Sequence, residues 1–136
     1  MRCLYLLAAL AFAPVELVAA QYIDHDGHRI HYTTFSSMII PPDVAALHNI
    51  VRSENRIVLN ISGIKDDQPI SLVVSGDVVN LLNQQYELEF QEVTESEAVY
   101  YLASHLALEQ DILRFNLLIT LNSGESVPIN FLRRYD

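Results

Sequence analysis

Tyr86-Glu87-Leu88-Glu89-Phe90-Gln91 carries apolar or aromatic residues at even positions and polar ones at odd positions. Successive strand side chains point to opposite faces, so this alternation buries one face and wets the other. The same period runs outward along the chain. Leu113, Phe115, Leu117, Ile119 and Leu121 alternate with Arg114, Asn116 and Thr120. Val127, Ile129 and Phe131 alternate with Pro128 and Asn130. Pro128 has no N–H to donate, which places that run at a sheet edge or at a strand start. Upstream, Ile57, Leu59 and Ile61 alternate around Arg56, Asn60 and Ser62, and Ile30, Tyr32 and Thr34 around His31 and Thr33. Residues 98–106 (AVYYLASHL) read as strand from Val99 and the tyrosines, or as helix from the alanines. Residues 70–82 change phase, with Ile70, Leu72 and Val74 on one parity and Val79 and Leu81 on the other. A bulge at Gly76-Asp77 would restore the face, or the strand crosses between sheets.

Turn residues separate these runs. Residues 65–69 (KDDQP) form a polar connection, and Asn122-Ser123-Gly124-Glu125 a tight hairpin with Gly124 at positive φ. One short helix is expected from Pro42 to Leu47. Proline suits the first helical position, and Val44 and Leu47 would share its face. Seven runs with regular turns define an all-β chain: an immunoglobulin-like antiparallel β-sandwich of about seven strands with one short helix. The chain has one cysteine and no tryptophan, so the Cys–Trp–Cys core of antibody domains is impossible.

Residues 1–20 read as a signal peptide ahead of a single domain over 21–136. Arg2 gives a positive start. Residues 4–13 (LYLLAALAFA) are apolar, within the roughly 7–15 residues of a signal core. Pro14 and Glu16 break the run, and Val18-Ala19-Ala20 offers small residues for cleavage. The run is shorter than the about 20 residues a membrane span needs. The expected product is exported and soluble, with no membrane span after leader removal. Cys3 falls in the leader, so the remainder has no disulfide, thiolate metal site or cysteine nucleophile. Its stability must come from packing, which a 51% hydrophobic composition permits.

The formal net charge is -9, which disfavours nucleic acid and anionic lipid as partners. The acids read as spread along the chain for solubility, with no block aimed at a cationic partner.

Candidate site residues are few. Residues 24–31 (DHDGHRIH) crowd three histidines among acids, and His25 and His28 are the nearest to metal ligands. The spacing is poor: His28 and His31 face opposite ways on a strand, and His25 is fifth from the expected mature terminus. No metal and no cofactor is therefore expected. Arg52-Ser53-Glu54-Asn55-Arg56 is the best anion-recognition segment, since guanidinium forks grip carboxylate and phosphate. Arg52, Asn55 and Arg56 are its candidate ligands, and the reading that they anchor the helix–strand corner is at least as good. Tyr100 and Tyr101 face opposite ways, one inward and one exposed, with Tyr101 counted as a partner contact. Arg133 and Arg134 would discourage edge pairing. Asp66-Asp67 reads as a solvated turn, and the sequon Asn60-Ile61-Ser62 falls inside a strand.

Catalysis finds little support. There is no Gly-x-Ser-x-Gly elbow. Ser104 and His105 would face opposite ways on a strand. Glu87 and Glu89 share a face, but an acid–base pair needs a cleft and tuned pKa values. The chain reads as non-enzymatic.

Several segments together are familiar: His31-Tyr32, residues 41–45 (PPDVA), residues 50–56 (IVRSENR), Asn60-Ile61-Ser62, residues 100–103 (YYLA) and the closing strand from Gly124 to Tyr135. With these the chain resembles a family of small exported proteins of Gram-negative bacteria, classed only as a domain of unknown function. The resemblance implies a periplasmic, β-rich single domain and supplies no catalytic residue. The amino-terminal histidines are not part of it. The expected role is a non-enzymatic periplasmic module binding a protein or cell-envelope component. A small-ligand or metal-binding carrier is the alternative, and a hydrolase comes third. An apolar cavity between the sheets would favour the carrier. A pocket joining His, acid and Ser would favour the hydrolase. A flat surface with exposed tyrosines would favour the partner-binding module.

Overall fold

The structure, a computed structural model, describes residues 21–135, so the expected leader lies outside the described residues. Ten strands form two antiparallel sheets. In chain order they are β1 (Gln21–His25), β2 (His28–Ser36), β3 (Arg56–Lys65), β4 (Gln68–Ile70), β5 (Val73–Val79), β6 (Gln85–Glu87), β7 (Gln91–Glu95), β8 (Ala98–Leu106), β9 (Ile112–Thr120) and β10 (Ser126–Arg134). A 3-10 turn (Ser37–Ile39) and the helix α1 (Pro42–Leu47) lie between β2 and β3. Sheet one has the order β1-β2-β3-β8-β7, with β4 paired to β3, and sheet two has the order β10-β9-β5-β6. Taking β2, β3, β5, β7, β8, β9 and β10 as strands A to G gives A-B-E-D facing G-F-C, the immunoglobulin constant-type order. The expected seven-stranded sandwich is present, and β1, β4 and β6 extend it.

The long alternating runs behave as their period demands. Leu113, Phe115, Leu117, Ile119 and Leu121 are all buried, and pack against Ile30, Leu59 and Ile61 of sheet one. Residues 98–106 are strand, with Tyr101 and Ala103 inside. β10 pairs only with β9, so Pro128 sits on an edge, where its missing N–H costs no ladder bond. Gly124 has φ 95 and closes the last hairpin. Asp26 and Gly27, at φ 52 and 81, make the two-residue turn joining β1 to β2. Asp66 and Asp67, at φ 54 and 61, do the same between β3 and β4.

Two readings need correction. Residues 86–91 are not one strand. β6 ends at Glu87 in sheet two and β7 begins at Gln91 in sheet one, so residues 88–90 cross the side of the sandwich. Leu88 is still buried, held by its N–H to the Gly76 carbonyl at 2.9 Å. The phase change near Gly76 is neither a bulge nor the crossing point. Pairing of β5 with β9 runs unbroken from Val73↔Thr120 to Val79↔Arg114. The crossing lies earlier, at Ser71-Leu72, between β4 and β5. Gly76 and Val78 continue the inward parity, and Leu81 is simply exposed. This inward position holds glycine because nothing larger fits: a Cβ there would overlap the Asn116 carbonyl oxygen and lie 2.8 Å from Leu117 Cδ2.

α1 has the expected bounds, and the face shared by Val44 and Leu47 is turned to solvent. Val44 and Leu47 are exposed, and Ala45 is the buried residue. Ala45 and Ile50 pack on Val58, which points to the outer face of sheet one, with Phe35, Ile40 and Leu102 alongside. β3 is thereby buried on both faces, Val58 under the helix and Ile57, Leu59 and Ile61 in the main core.

Candidate partner-binding site

Residues 37–56 form a segment fastened over the outer face of sheet one. Ser36 Oγ accepts the Met38 N–H at 3.1 Å and starts the 3-10 turn. The next serine, Ser37, is fully buried. Its hydroxyl accepts the Ser53 N–H and donates to the Ser53 carbonyl, both at 3.0 Å. This single side chain closes the segment on itself. Arg52 Nη2 donates to the Met38 carbonyl at 3.0 Å. Asn49 turns the chain at φ 57, and the Ile50 N–H returns to the Ala45 carbonyl at 2.8 Å. Gln91 Nε2 reaches from β7 to the His48 carbonyl at 2.7 Å. At the far end the Asn55 carbonyl accepts the Ala107 N–H at 2.7 Å.

Arg52 thus holds the corner through its side chain, and Asn55 through its backbone carbonyl. Arg56 is half-buried at the start of β3, its Nε without a hydrogen-bond partner among the described residues. The three do not converge on an anion. The neighbouring cleft of about 510 Å³ is lined by Asn55 together with Glu54 and Glu109, whose carboxylates repel one, and by neither arginine.

The anchored segment displays apolar side chains. Met38, Ile39, Val44, Leu47 and Val51 are all exposed, Ile39 at 68% and Leu47 at 75%. The sequence placed Val44 and Leu47 on one helix face without saying whether that face is covered, and did not single out Met38, Ile39 or Val51 as exposed. The available signal was three apolar clusters, at residues 38–40, 44–47 and 50–51, in a stretch that one short helix cannot bury.

Other candidates are placed elsewhere. Tyr101 is not a surface contact: it is 5% exposed. Its hydroxyl accepts the Leu72 N–H at 2.9 Å and donates to Glu92 Oε1 at 3.1 Å, pinning the crossing between sheets. Burial pushes its phenol above the usual value. The exposed tyrosines, Tyr22 and Tyr86, belong to different sheets and form no patch. His25 and His28 flank the Asp26-Gly27 turn. His28 is buried, and its Nδ1 donates to the carbonyls of His25 and Asp26 at 3.1 and 3.0 Å. His25 Nε2 lies 3.7 Å from Glu125. No group of three or more His, Cys, Asp or Glu gathers among the described residues.

His105 is buried between the sheets, with its ring 5.1 Å from that of Tyr86. Burial lowers its pKa, nearby Asp111 opposes this, and Arg56 adds to it. Asp111 is fully buried and accepts the N–H groups of Leu81, Leu108 and Ile112 at 2.8–2.9 Å. Sequence reading missed this carboxylate, which ties the β5–β6 and β8–β9 loops together. No serine hydrogen-bonds to His105 among the described residues.

The class is thus an immunoglobulin-like sandwich carrying one anchored, apolar surface segment. Within that class, the chain belongs to the family described as a domain of unknown function, DUF4426, whose model matches residues 23–135. It is similar to a crystal structure of a DUF4426 family protein from Pseudomonas aeruginosa PAO1, at 25% identity and a TM-score of 0.77. The match covers 85% of this chain and 93% of that one. Comparison with curated proteins finds no match. Among the described residues, no helix is long and apolar enough to cross a membrane.

Proposed function

We propose that this is an exported, periplasmic, non-enzymatic module that binds a protein partner through residues 38–51. One observation carries the reading: five large apolar side chains are held in water by a segment whose backbone is fastened at both ends. Exposed apolar patches on soluble domains mark interaction surfaces. A segment already ordered loses little conformational freedom on binding, so its buried area is converted efficiently into affinity. Charge favours protein over lipid as the occupant. The chain is strongly acidic, and Asp43 sits on the segment itself, so an anionic bilayer repels it. Export rests on the leader-like residues 1–20.

The test is affinity capture from periplasmic extract with the wild type and with Leu47→Ser/Val51→Ser. A partner held by the wild type and lost by the variant, at unchanged melting temperature, is the expected result. Equal capture by both proteins, or binding to anionic lipid vesicles in place of a protein, overturns it. The cleft at the end of the sandwich supports a small-ligand carrier as the second reading, since Ile57, Ala107, Leu108 and Tyr135 give it an apolar lining. Native mass spectrometry of the purified protein reads that directly.

A further inference from the structure

A groove of about 440 Å³ runs beside the anchored segment, between it and the chain that crosses from β6 to β7. Its walls are Ile50 and Phe90, Val58 and Leu102 also line it, and Glu87 and Glu89 add carboxylates. Neither carboxylate makes an ion pair or a side-chain hydrogen bond among the described residues. The sequence supports this local charge more strongly than its overall composition suggests. No lysine or arginine occurs between Lys65 and Arg114, while Glu87, Glu89, Glu92, Glu95 and Glu97 follow one another. This stretch departs from the reading of the acids as spread along the chain without a block.

We propose that the partner inserts a lysine or arginine side chain, flanked by apolar residues, into this groove; the inference rests on residues 38–51 being the contact surface. The chemistry fits at both ends of such a side chain. Long basic side chains lay an aliphatic stem on apolar surface and keep the charged head among polar groups. Here the stem has Ile50 and Phe90, and the head has the carboxylates of Glu87 and Glu89 that line the groove. The residues flanking the cation meet the neighbouring exposed Leu47 and Val51. Complementary charge then selects the partner, while the apolar segment supplies contact area.

The probes are two seven-residue apolar peptides, one with a central lysine and one with glutamine in its place. Binding is followed by amide chemical shifts of the isotope-labelled protein. The lysine peptide is expected to bind about tenfold tighter, a difference of roughly 1.4 kcal/mol, with shifts at Ile50, Glu89 and Phe90. Glu87→Gln/Glu89→Gln removes that preference, and Leu47→Ser/Val51→Ser weakens both peptides alike. Equal affinity for the two peptides, absence of binding by either included, overturns the proposal. So does a preference that survives Glu87→Gln/Glu89→Gln. If capture of the periplasmic partner depends on Leu47 and Val51 but not on Glu87 and Glu89, the contact surface stands and the groove assignment falls.

Discussion

Gly76 is glycine because of its neighbours' backbone rather than its own torsion angles. The Asn116 carbonyl on β9 occupies the space a Cβ would need, and a backbone atom cannot swing aside. Gly76→Ala is expected to destabilise by about 1–3 kcal/mol, read as a lower urea midpoint at unchanged slope. His105 gives a second residue-level outcome. Burial holds its folded pKa below the unfolded value, so the unfolded chain takes up the proton first. Its contribution to stability is complete above the unfolded value of about 6.5 and is lost as pH falls through that region. His105→Gln should flatten this part of the stability–pH profile, and an unchanged slope would refute the assignment. Pro42, Gly124 and Pro128 were legible in the sequence because their constraint is covalent and local. Gly76, His105 and Asp111 were not, because each is constrained by atoms from another strand or loop.

At the scale of elements, the helix shows the same division. Its start follows from Pro42, whatever surrounds it. Its buried face follows from Val58, which contacts Ala45 only after β3 has paired with β2 and β8. The candidate site was legible to a similar extent. For residues 52–56 the sequence offered two roles, gripping an anion or anchoring the helix–strand corner, and the bonds observed there are of the anchoring kind. The Arg52 guanidinium and the Ser53 backbone close the segment that displays the apolar side chains, a role invisible until Ser37 meets Ser53. Ser37→Ala removes a donor and an acceptor together and strands the Ser53 groups. The expected cost is about 1–3 kcal/mol, with faster amide exchange confined to residues 37–53. Slower or unchanged exchange there would mean that the segment is held by its helix alone.

Across the whole molecule, the closing strand joins the two sheets. Arg133 does more than guard an edge. Its Nε donates to Thr34 Oγ1 at 3.2 Å and its Nη2 to Gln21 Oε1 at 2.7 Å, while its guanidinium covers the Phe131 ring at 4.8 Å. Tyr135 adds a bond from its hydroxyl to the same Thr34 oxygen at 3.0 Å. These contacts clasp β10 of sheet two to β1 and β2 of sheet one. Arg133→Ala should lower stability by about 1–2 kcal/mol, seen as a melting point several degrees lower. Arg134→Ala is expected to change little, since Arg134 is exposed at the end of β10.

Periodicity along single runs established strands, one short helix, a proline-marked edge and a thiol-free core, because alternation and covalent restriction act over a few neighbouring residues. Strand order, the two crossings at residues 71–72 and 88–90, and the apolar side chains left in water came only with the tertiary structure. Those depend on which distant backbone satisfies a given N–H and which surface covers a given side chain, and neither is encoded within one segment.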